Sequence, residues 1–498
     1  MPVETASVRR NVFVSWVAHA VTIVVGFFLM PYIVQVLGEH SYGMWVFVNS
    51  LASYAGLLYF GFGDTISRYV ARYHAAGDQE RVNRVVSLVT AVYVVMGCVA
   101  LTIALALAAT LPWYSGWRGQ PLHEMQATII VLGLNVAVSM VGSVFGGVLM
   151  GLRRFDLERS VGFASDGLRV ALVFVFLQRE WGLLTIALIY LGISVFENLC
   201  CLVLAYRQMP DLRIGWSYVS RDMLRECTSF SAMAFLNAIA YQLMAAADTV
   251  VIGFMFGAEA IVPYYIALRL SQFIRQPIEK IAVICMPTAG ALSADTEPRR
   301  LHQFLAQAVG VVFLLSAGMF VGGCFFGGEV IRLWMGERYV SSQHLLVILL
   351  AAQMVALPCG IFRAFLMGLG AVRIPALLYL AEAVLKVVLS VALGSVWGLA
   401  GVAWGGLIPV ALIELACLVP YALRQLHWPV RRLWIAAIAP QLLPVAALAA
   451  YSAVVSGQAW SHAGWPALIS ITLGGAAVLG AMWLVSHRVV GSRVLGTT

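Results

Sequence analysis

The sequence predicts an all-α polytopic membrane protein of about fourteen transmembrane helices, arranged as two six-helix lobes related by a parallel repeat and followed by two additional C-terminal helices. Three observations predict it. Of 498 residues, 61% are hydrophobic and only 11% charged, against about 25% charged in ordinary soluble chains, and the apolar residues come in runs of about 20, the length of a membrane span. The basic residues alternate sides loop after loop. A set of residues recurs at a fixed offset. This composition excludes a soluble enzyme, and the net charge of +8 concerns the sides of a membrane rather than nucleic acid.

Charge clusters, Pro and Gly divide the chain into fourteen apolar segments. The first, 11–36, follows Arg9 and Arg10, and its apolar stretch is too long for a signal-peptide core of about 7–15 residues. The second, 42–64, ends at Asp64 near Arg68. The third (82–111) and fourth (124–150) are followed by 156–178, which carries Asp166 and Arg169, and by 182–206, which carries Glu197. The residues 207–228 form the longest loop on their side and read as a cytoplasmic linker. Beyond it lie 229–256, 260–286, 304–326, 343–366, 374–394 and 397–421, then the extra pair 434–456 and 465–486. The predicted domains are therefore 1–206, the linker 207–228, 229–424, and 425–498. Gly pairs at four-residue spacing, Gly142/Gly146, Gly147/Gly151 and Gly401/Gly405, predict close helix contacts.

The arginines test this layout. With both termini inside, 22 arginines fall on the inner side and four, Arg118, Arg179, Arg332 and Arg338, on the outer. That bias satisfies the positive-inside rule and predicts cytoplasmic termini in a bacterial inner membrane. Five basic residues remain within spans, including both lysines of the chain, Lys280 and Lys386.

The repeat orients the halves. Leu149-Met150-Gly151-Leu152 recurs as Leu366-Met367-Gly368-Leu369, and at the same offset of 217 Phe145 matches Phe362, Arg169 matches Lys386, Glu197 matches Glu414 and Arg207 matches Arg424. Six spans per repeat is an even number. Both halves then share one orientation, a layout found in transporters built from parallel repeats.

An ionisable side chain within a span is costly and by default marks function. Asp166 with Arg169 and Glu382 with Lys386 can also neutralise each other along one helix face. Glu197 and Glu414 have no such neighbour, which points to proton carriage or contact between lobes. In the eighth span Arg269, Gln272, Gln276 and Glu279 share a face, with Arg275 and Lys280 beside it and Pro277 expected to bend the helix. That stripe cannot face lipid, although Glu279 and Lys280 lie near enough to the inner surface to snorkel. Asn49, Asn237, Asp248 and His19 add polar positions in spans one, two and seven; a lone His is more often a hydrogen-bonded structural residue. The predicted cavity residues are Arg269, Gln272, Arg275, Gln276, Asn49, Asn237 and His19. The predicted coupling or gating residues are Asp248, Glu197, Glu414, Asp166, Arg169, Glu382, Lys386, Glu279 and Lys280.

Other chemistries lack their residues. The eight cysteines include no C-x-x-C pair and read as apolar packing. No P-loop, H-E-x-x-H or G-x-S-x-G is present, so neither a cofactor nor a metal is expected.

The segment Leu37-Gly38-Glu39-His40-Ser41-Tyr42-Gly43-Met44-Trp45, followed by Leu57-Leu58-Tyr59-Phe60-Gly61-Phe62-Gly63 and Ser67-Arg68-Tyr69-Val70-Ala71, resembles the opening of the polysaccharide-transporter branch of the multidrug/oligosaccharidyl-lipid/polysaccharide exporter superfamily, which includes Wzx-type O-antigen and exopolysaccharide repeat-unit flippases. Tyr59-Phe60 stands where that family more often has an acidic and an aliphatic residue, so the role of that acid does not carry over. The resemblance implies a V-shaped pair of lobes around a cavity lined mainly by spans 1, 2, 7 and 8, with cations facing the pyrophosphate or acidic sugars of an undecaprenyl-linked oligosaccharide. Arg269 and Arg275 match that expectation. It also implies coupling to protons or other cations, polysaccharide polymerase and chain-length proteins as partners, and a groove for the isoprenoid tail formed by the last two spans. Two alternatives stand beside it: a multidrug or toxic-compound cation antiporter of the same superfamily, which calls for an acidic cavity, and a membrane glycosyltransferase or polymerase, which calls for a large surface loop.

Overall fold

A computed structural model describes residues 5–59, 62–111, 122–177, 182–219, 223–224, 231–293, 298–458, 460 and 463–494. Within these, side chains are described from residue 25 to 486, apart from 55, 58–65, 231–234, 293 and 298. Among the described residues the regular structure is helical and no strand occurs.

Helix α1 (Thr5–Ser53) is broken at Gly38, whose φ of 80° and ψ of 167° belong to a region open essentially to glycine. The break falls between the first two predicted segments. A 3-10 turn (Tyr54–Tyr59) then leads to α2 (Phe62–Ala75), a separate short helix where a span end and loop are expected from the sequence. Its mixed polar and apolar composition does not suit a span, but its apolar face packs on α4. Next come α3 (Gln79–Thr110), capped by Asp78, which accepts from the Arg81 amide at 3.0 Å, α4 (Leu122–Gly151), α5 (Phe155–Phe176), α6 (Gly182–Gln208), α7 (Ser231–Phe256) and α8 (Ala258–Ser293).

The second half holds α9 (Pro298–Met335), α10 (Gln343–Gly368) and α11 (Arg373–Ile413). Helix α11 contains Gly398 at φ 60°, ψ −141°. There the chain folds back, and Ser390 Oγ donates to the Val402 carbonyl at 3.3 Å. Two predicted spans are thus joined without a loop. A π-helical turn (Glu414–Leu418) leads into α12 (Val419–Gln425), and a second (Trp434–Ile438) joins α13 (Val430–Leu433) to α14 (Ala439–Ser456), before α15 (Trp465–Val494). Among the described residues, nine stretches are long and apolar enough to cross a membrane. The chain is a multi-pass membrane protein.

Two compact units are present, 1–261 and 262–498. In the first, α4 lies between α3 and α6, α5 packs on α6, and α7 packs on α1. Its core is built from Val85, Val86, Val89, Val144, Val148 and Leu149, among others. In the second, α10 lies between α9 and α11, while α14 packs on α9 and α15; Leu305, Val312, Phe362, Phe365 and Leu418 fill its core. Lipid is as apolar as these side chains, so close fit rather than water exclusion holds such helices together. Of the predicted glycine pairs, Gly147/Gly151 and Gly401/Gly405 supply that fit, as does Gly142, whereas Gly146 meets no neighbour. A Cβ on Gly405 would lie 2.4 Å from the Ser390 amide, and on Gly142 within 1.9 Å of the Asn198 side chain.

The start of the expected linker is anchored to unit 1. Asn83, buried on α3, donates to the Asp211 carbonyl at 3.4 Å and accepts from the Arg213 amide at 3.1 Å, while Ser87 accepts from the Gly215 amide at 3.2 Å.

Candidate functional site

Helix α8 presents its polar residues on one side. At 100° per residue, Arg269, Gln272, Gln276 and Glu279 fall within one quadrant. The buried residues Ile266, Leu270, Ile278, Cys285 and Ala289 lie around the rest of the helix. Helix propensity alone does not choose this face; packing of the apolar side does, and it leaves the stripe half-buried. Three prolines, Pro263, Pro277 and Pro287, lie inside the helix, so several carbonyls of the preceding turns lack their usual donors.

The stripe is internally ordered. Arg269 Nε donates to Tyr265 Oη at 2.8 Å and its Nη1 to Gln272 Oε1 at 3.3 Å, with the guanidinium 5.1 Å from the Tyr265 ring centre. Arg275 pairs with Glu279 at 2.5 Å. Gln276 is half-buried on the same face and Lys280 is exposed. The pair Arg275–Glu279 is locally neutral, and Arg269 adds a guanidinium one to two turns earlier on the same helix. Guanidinium is suited to phosphate because it offers a planar fork of donors.

A second cluster lies within unit 2. Glu382 and Lys386 on α11 and Glu414 in the π turn are buried, with exposures of 2%, 6% and 2%. Arg363 on α10 pairs with Glu414 and lies 3.6 Å from Glu382, its guanidinium 4.5 Å from the Tyr379 ring centre. Arg363 is one of the 22 arginines that the span layout assigns to the inner side. The structure puts it inside α10, where Glu382 of α11 and Glu414 of the π turn hold it. The available signal was its position within the apolar segment 343–366.

In unit 1, Arg169 donates to Asp166 at 2.7 Å on α5 and stacks 5.2 Å from the Tyr190 ring centre on α6. Glu197, also on α6, is half-buried and within electrostatic reach of Arg169, Asp166 and Glu158. Asp248 is buried on α7 at 4% exposure. Asn49 donates to the Trp45 carbonyl of its own helix at 3.1 Å, and Asn237 is half-buried on α7. The side chain of His19, like that of Asp64, lies outside the described residues.

Unit 1 also holds an apolar cavity of about 540 Å³, lined by Phe47, Leu51, Ile103, Leu107, Met125 and Leu132 among others. It has no charged wall and cannot stabilise an anionic headgroup. Among the described residues, no group of three or more His, Cys, Asp and Glu is placed to hold a metal ion.

The sequence profile of a family described as polysaccharide biosynthesis protein matches residues 8–290, more than half of the chain. A Shigella flexneri protein described as "Putative O-antigen transporter" is 20% identical over 405 residues, covering 80% of this chain and 93% of that protein. Among solved structures, the lipid II flippase MurJ in an inward closed conformation superposes with a TM-score of 0.72 at 11% identity, covering 97% of this chain and 100% of MurJ. An inward-facing multidrug resistance MATE family transporter of the MOP superfamily gives 0.65 at 18% identity, over 78% and 93%. The fold is that of these transporters.

Proposed function

Because the chain belongs to the polysaccharide biosynthesis protein family, we propose that it is a flippase that moves a polyprenyl-pyrophosphate-linked oligosaccharide repeat unit from the cytoplasmic to the outer leaflet. The observation that carries this reading is the α8 stripe with Arg269, set in a helix of an otherwise apolar, multi-pass fold. A pyrophosphate crossing lipid needs a shielded polar route with positive charge, because the bare ion pays several kcal/mol of desolvation. Arg269, with Gln272 and Gln276 for sugar hydroxyls, supplies it; Asn49, Asn237 and His19 are further candidate substrate contacts. The Shigella relative's description and the likeness to a lipid II flippase support a lipid-linked substrate.

Translocation is by alternating access, with rocking of the lobes 1–206 and 229–424, which the repeat relates by an axis along the membrane normal. Fourteen spans put both termini in the cytoplasm of a bacterial inner membrane. On that division rocking opens the contacts of α7 with α1 and with the turn Tyr54–Tyr59, since α7 begins the second lobe. Asp248, Asp166, Arg169, Glu197, Glu382, Lys386, Glu414, Glu279 and Lys280 serve coupling or gating, with protons or other cations as the driving ions. A polysaccharide polymerase and chain-length proteins take up the product.

The multidrug antiporter reading rests on the MATE likeness, which concerns fold alone. A cation exporter needs acidic walls, whereas the α8 stripe carries Arg269, Arg275 and Lys280 against Glu279 alone. Deleting the gene and extracting the lipid-linked glycans tests the proposal: a repeat unit is expected to accumulate on the cytoplasmic leaflet. Unchanged surface polymer and no accumulation would overturn it.

A further inference from the structure

The arginine bias runs through both halves of the chain, but its charge is compensated differently in each. In unit 1, Arg81 and Arg84 at the start of α3 pair with Asp78 at 3.2 Å and Glu80 at 2.5 Å, and Arg154 and Arg159 at the start of α5 pair with Asp156 at 3.1 Å and Glu158 at 3.5 Å. Unit 2 ends otherwise. No acidic residue follows Glu414, whereas Arg424, Arg431 and Arg432 do. Helix α9, the third of its half as α3 is of the first, opens on Arg299 and Arg300 with no acidic residue in its first turn; Asp295 and Glu297 precede it, and Glu297 lies outside the described residues. Among the described residues Arg299, Arg424, Arg431 and Arg432 are exposed and make no ion pair.

A folded bracket brings the two arginine-bearing segments to one corner. His302 follows Arg299 by three residues and so shares its side of α9. Its ring stacks on Trp428, centres 4.8 Å apart and planes 6° from parallel, and its Nε2 donates to the Leu426 carbonyl at 2.9 Å. Trp428 leads through Pro429 and Val430 into Arg431 and Arg432. Behind the bracket Leu301, Leu305, Leu426 and Leu433 are buried in the core of unit 2, and α9 packs on the π turn Trp434–Ile438. The arginines thus stand on a fixed base. Beside them the surface turns apolar, for Val430, Trp434 and Ile435 are all exposed, with Trp434 one turn on from Val430 and Ile435 one turn on from Arg431.

We propose that this corner of unit 2 binds the headgroup of an anionic phospholipid, its phosphate taken by the pairs Arg299–Arg300 and Arg431–Arg432 and its chains lying along Val430, Trp434 and Ile435. Charge and shape both call for such an occupant. Basic clusters at the ends of spans recognise anionic headgroups, guanidinium forks match phosphate oxygens, and an exposed tryptophan belongs at headgroup depth. A free phosphate would leave the apolar strip uncovered; a lipid covers both parts at once. The positive-inside rule asks only that arginines gather on one side of the membrane. It does not ask that they lack carboxylates, nor that a stacked His–Trp pair bring two sets of them together. The bound headgroup ties the start of α9 to the chain between α12 and α14. The leaflet, the cytoplasmic one, rests on the topology proposed above; the lipid site itself does not rest on the flippase reading.

Native mass spectrometry of the full-length protein, released from micelles containing equal amounts of phosphatidylglycerol and phosphatidylcholine, reads the site directly. The wild type is expected to retain phosphatidylglycerol in preference. The double variants Arg299→Gln/Arg300→Gln and Arg431→Gln/Arg432→Gln are each expected to lower that retention about tenfold or more. His302→Ala keeps every arginine but opens the bracket; it is expected to lower retention too, which keeps the test decisive if an arginine variant fails to insert. Arg81→Gln/Arg84→Gln removes as much charge from arginines that have carboxylates of their own, and is expected to leave retention as it is. Equal retention of the two lipids by the wild type, or an equal loss in the Arg81/Arg84 variant, overturns the proposal. So does displacement of the phospholipid by equimolar farnesyl pyrophosphate, which would give the corner to a polyprenyl pyrophosphate instead.

Discussion

Arg269 and Arg363 show how one residue type takes two roles through its neighbours. Arg269 donates to a phenol and an amide on its own helix; Arg363 is held by two glutamates, so its charge serves the fold. Arg269→Ala is accordingly expected to lower export of the repeat unit by about tenfold or more, the worth of a charge-assisted contact, while amount and thermal stability in membranes stay near wild type. Arg269→Lys keeps the charge but loses the fork and should recover only part. Arg363→Gln leaves two buried carboxylates without their partner, a class of change that costs about 3–5 kcal/mol. It should show as a lowered melting temperature of the purified protein. On α3, Asn83→Ala removes the side chain that satisfies two backbone groups of residues 211–213. A loss of about 1–3 kcal/mol and faster proteolysis after residue 208 are expected.

Helices divide into those whose ends were legible and those whose breaks were not. Long apolar runs such as Leu122–Gly151 and Gly182–Gln208 can be read from the sequence because a span's length is set by the bilayer. The polar stripe of α8 is legible because its period matches a helix face. The separate helix α2 was not, since a short amphipathic segment beside a span end has no length constraint to announce it. Arg363 was missed for a related reason: near a helix end, an arginine inside the span and one in the loop look alike in sequence. The two π turns carry no sequence signal at all. The hairpin at Gly398 was half legible, as a boundary between two apolar segments, but not as a turn without a loop. Gly398→Ala is expected to cost about 1–3 kcal/mol, since it forces a side chain into a glycine conformation. Gly405→Leu should be worse, because its side chain meets the Ser390 backbone; thermal unfolding in detergent ranks the two.

At the scale of the whole molecule the repeat is the most informative sequence feature, and more so where it breaks. Matching charges at one offset announce two related bundles; the mismatch of Gly146 with Arg363 gives each unit its own ion-pair set, Arg169 with Asp166 in one and Arg363 with Glu382 and Glu414 in the other. The resemblance carried by Leu37-Gly38 has a physical content too, for Gly38 is where α1 breaks. What sequence could not supply is the pairing between helices distant along the chain. On the proposed function, a lipid-linked oligosaccharide crosses the membrane by way of the α8 stripe. Labelling of the lipid-linked repeat unit on intact spheroplasts with a membrane-impermeant sugar-oxidising reagent tests it most directly. In a deletion strain carrying the wild-type gene the repeat unit is expected to be labelled, and in the same strain carrying Arg269→Ala, at equal protein level, to be protected. Equal labelling with the wild type, the variant and the empty vector would contradict the account.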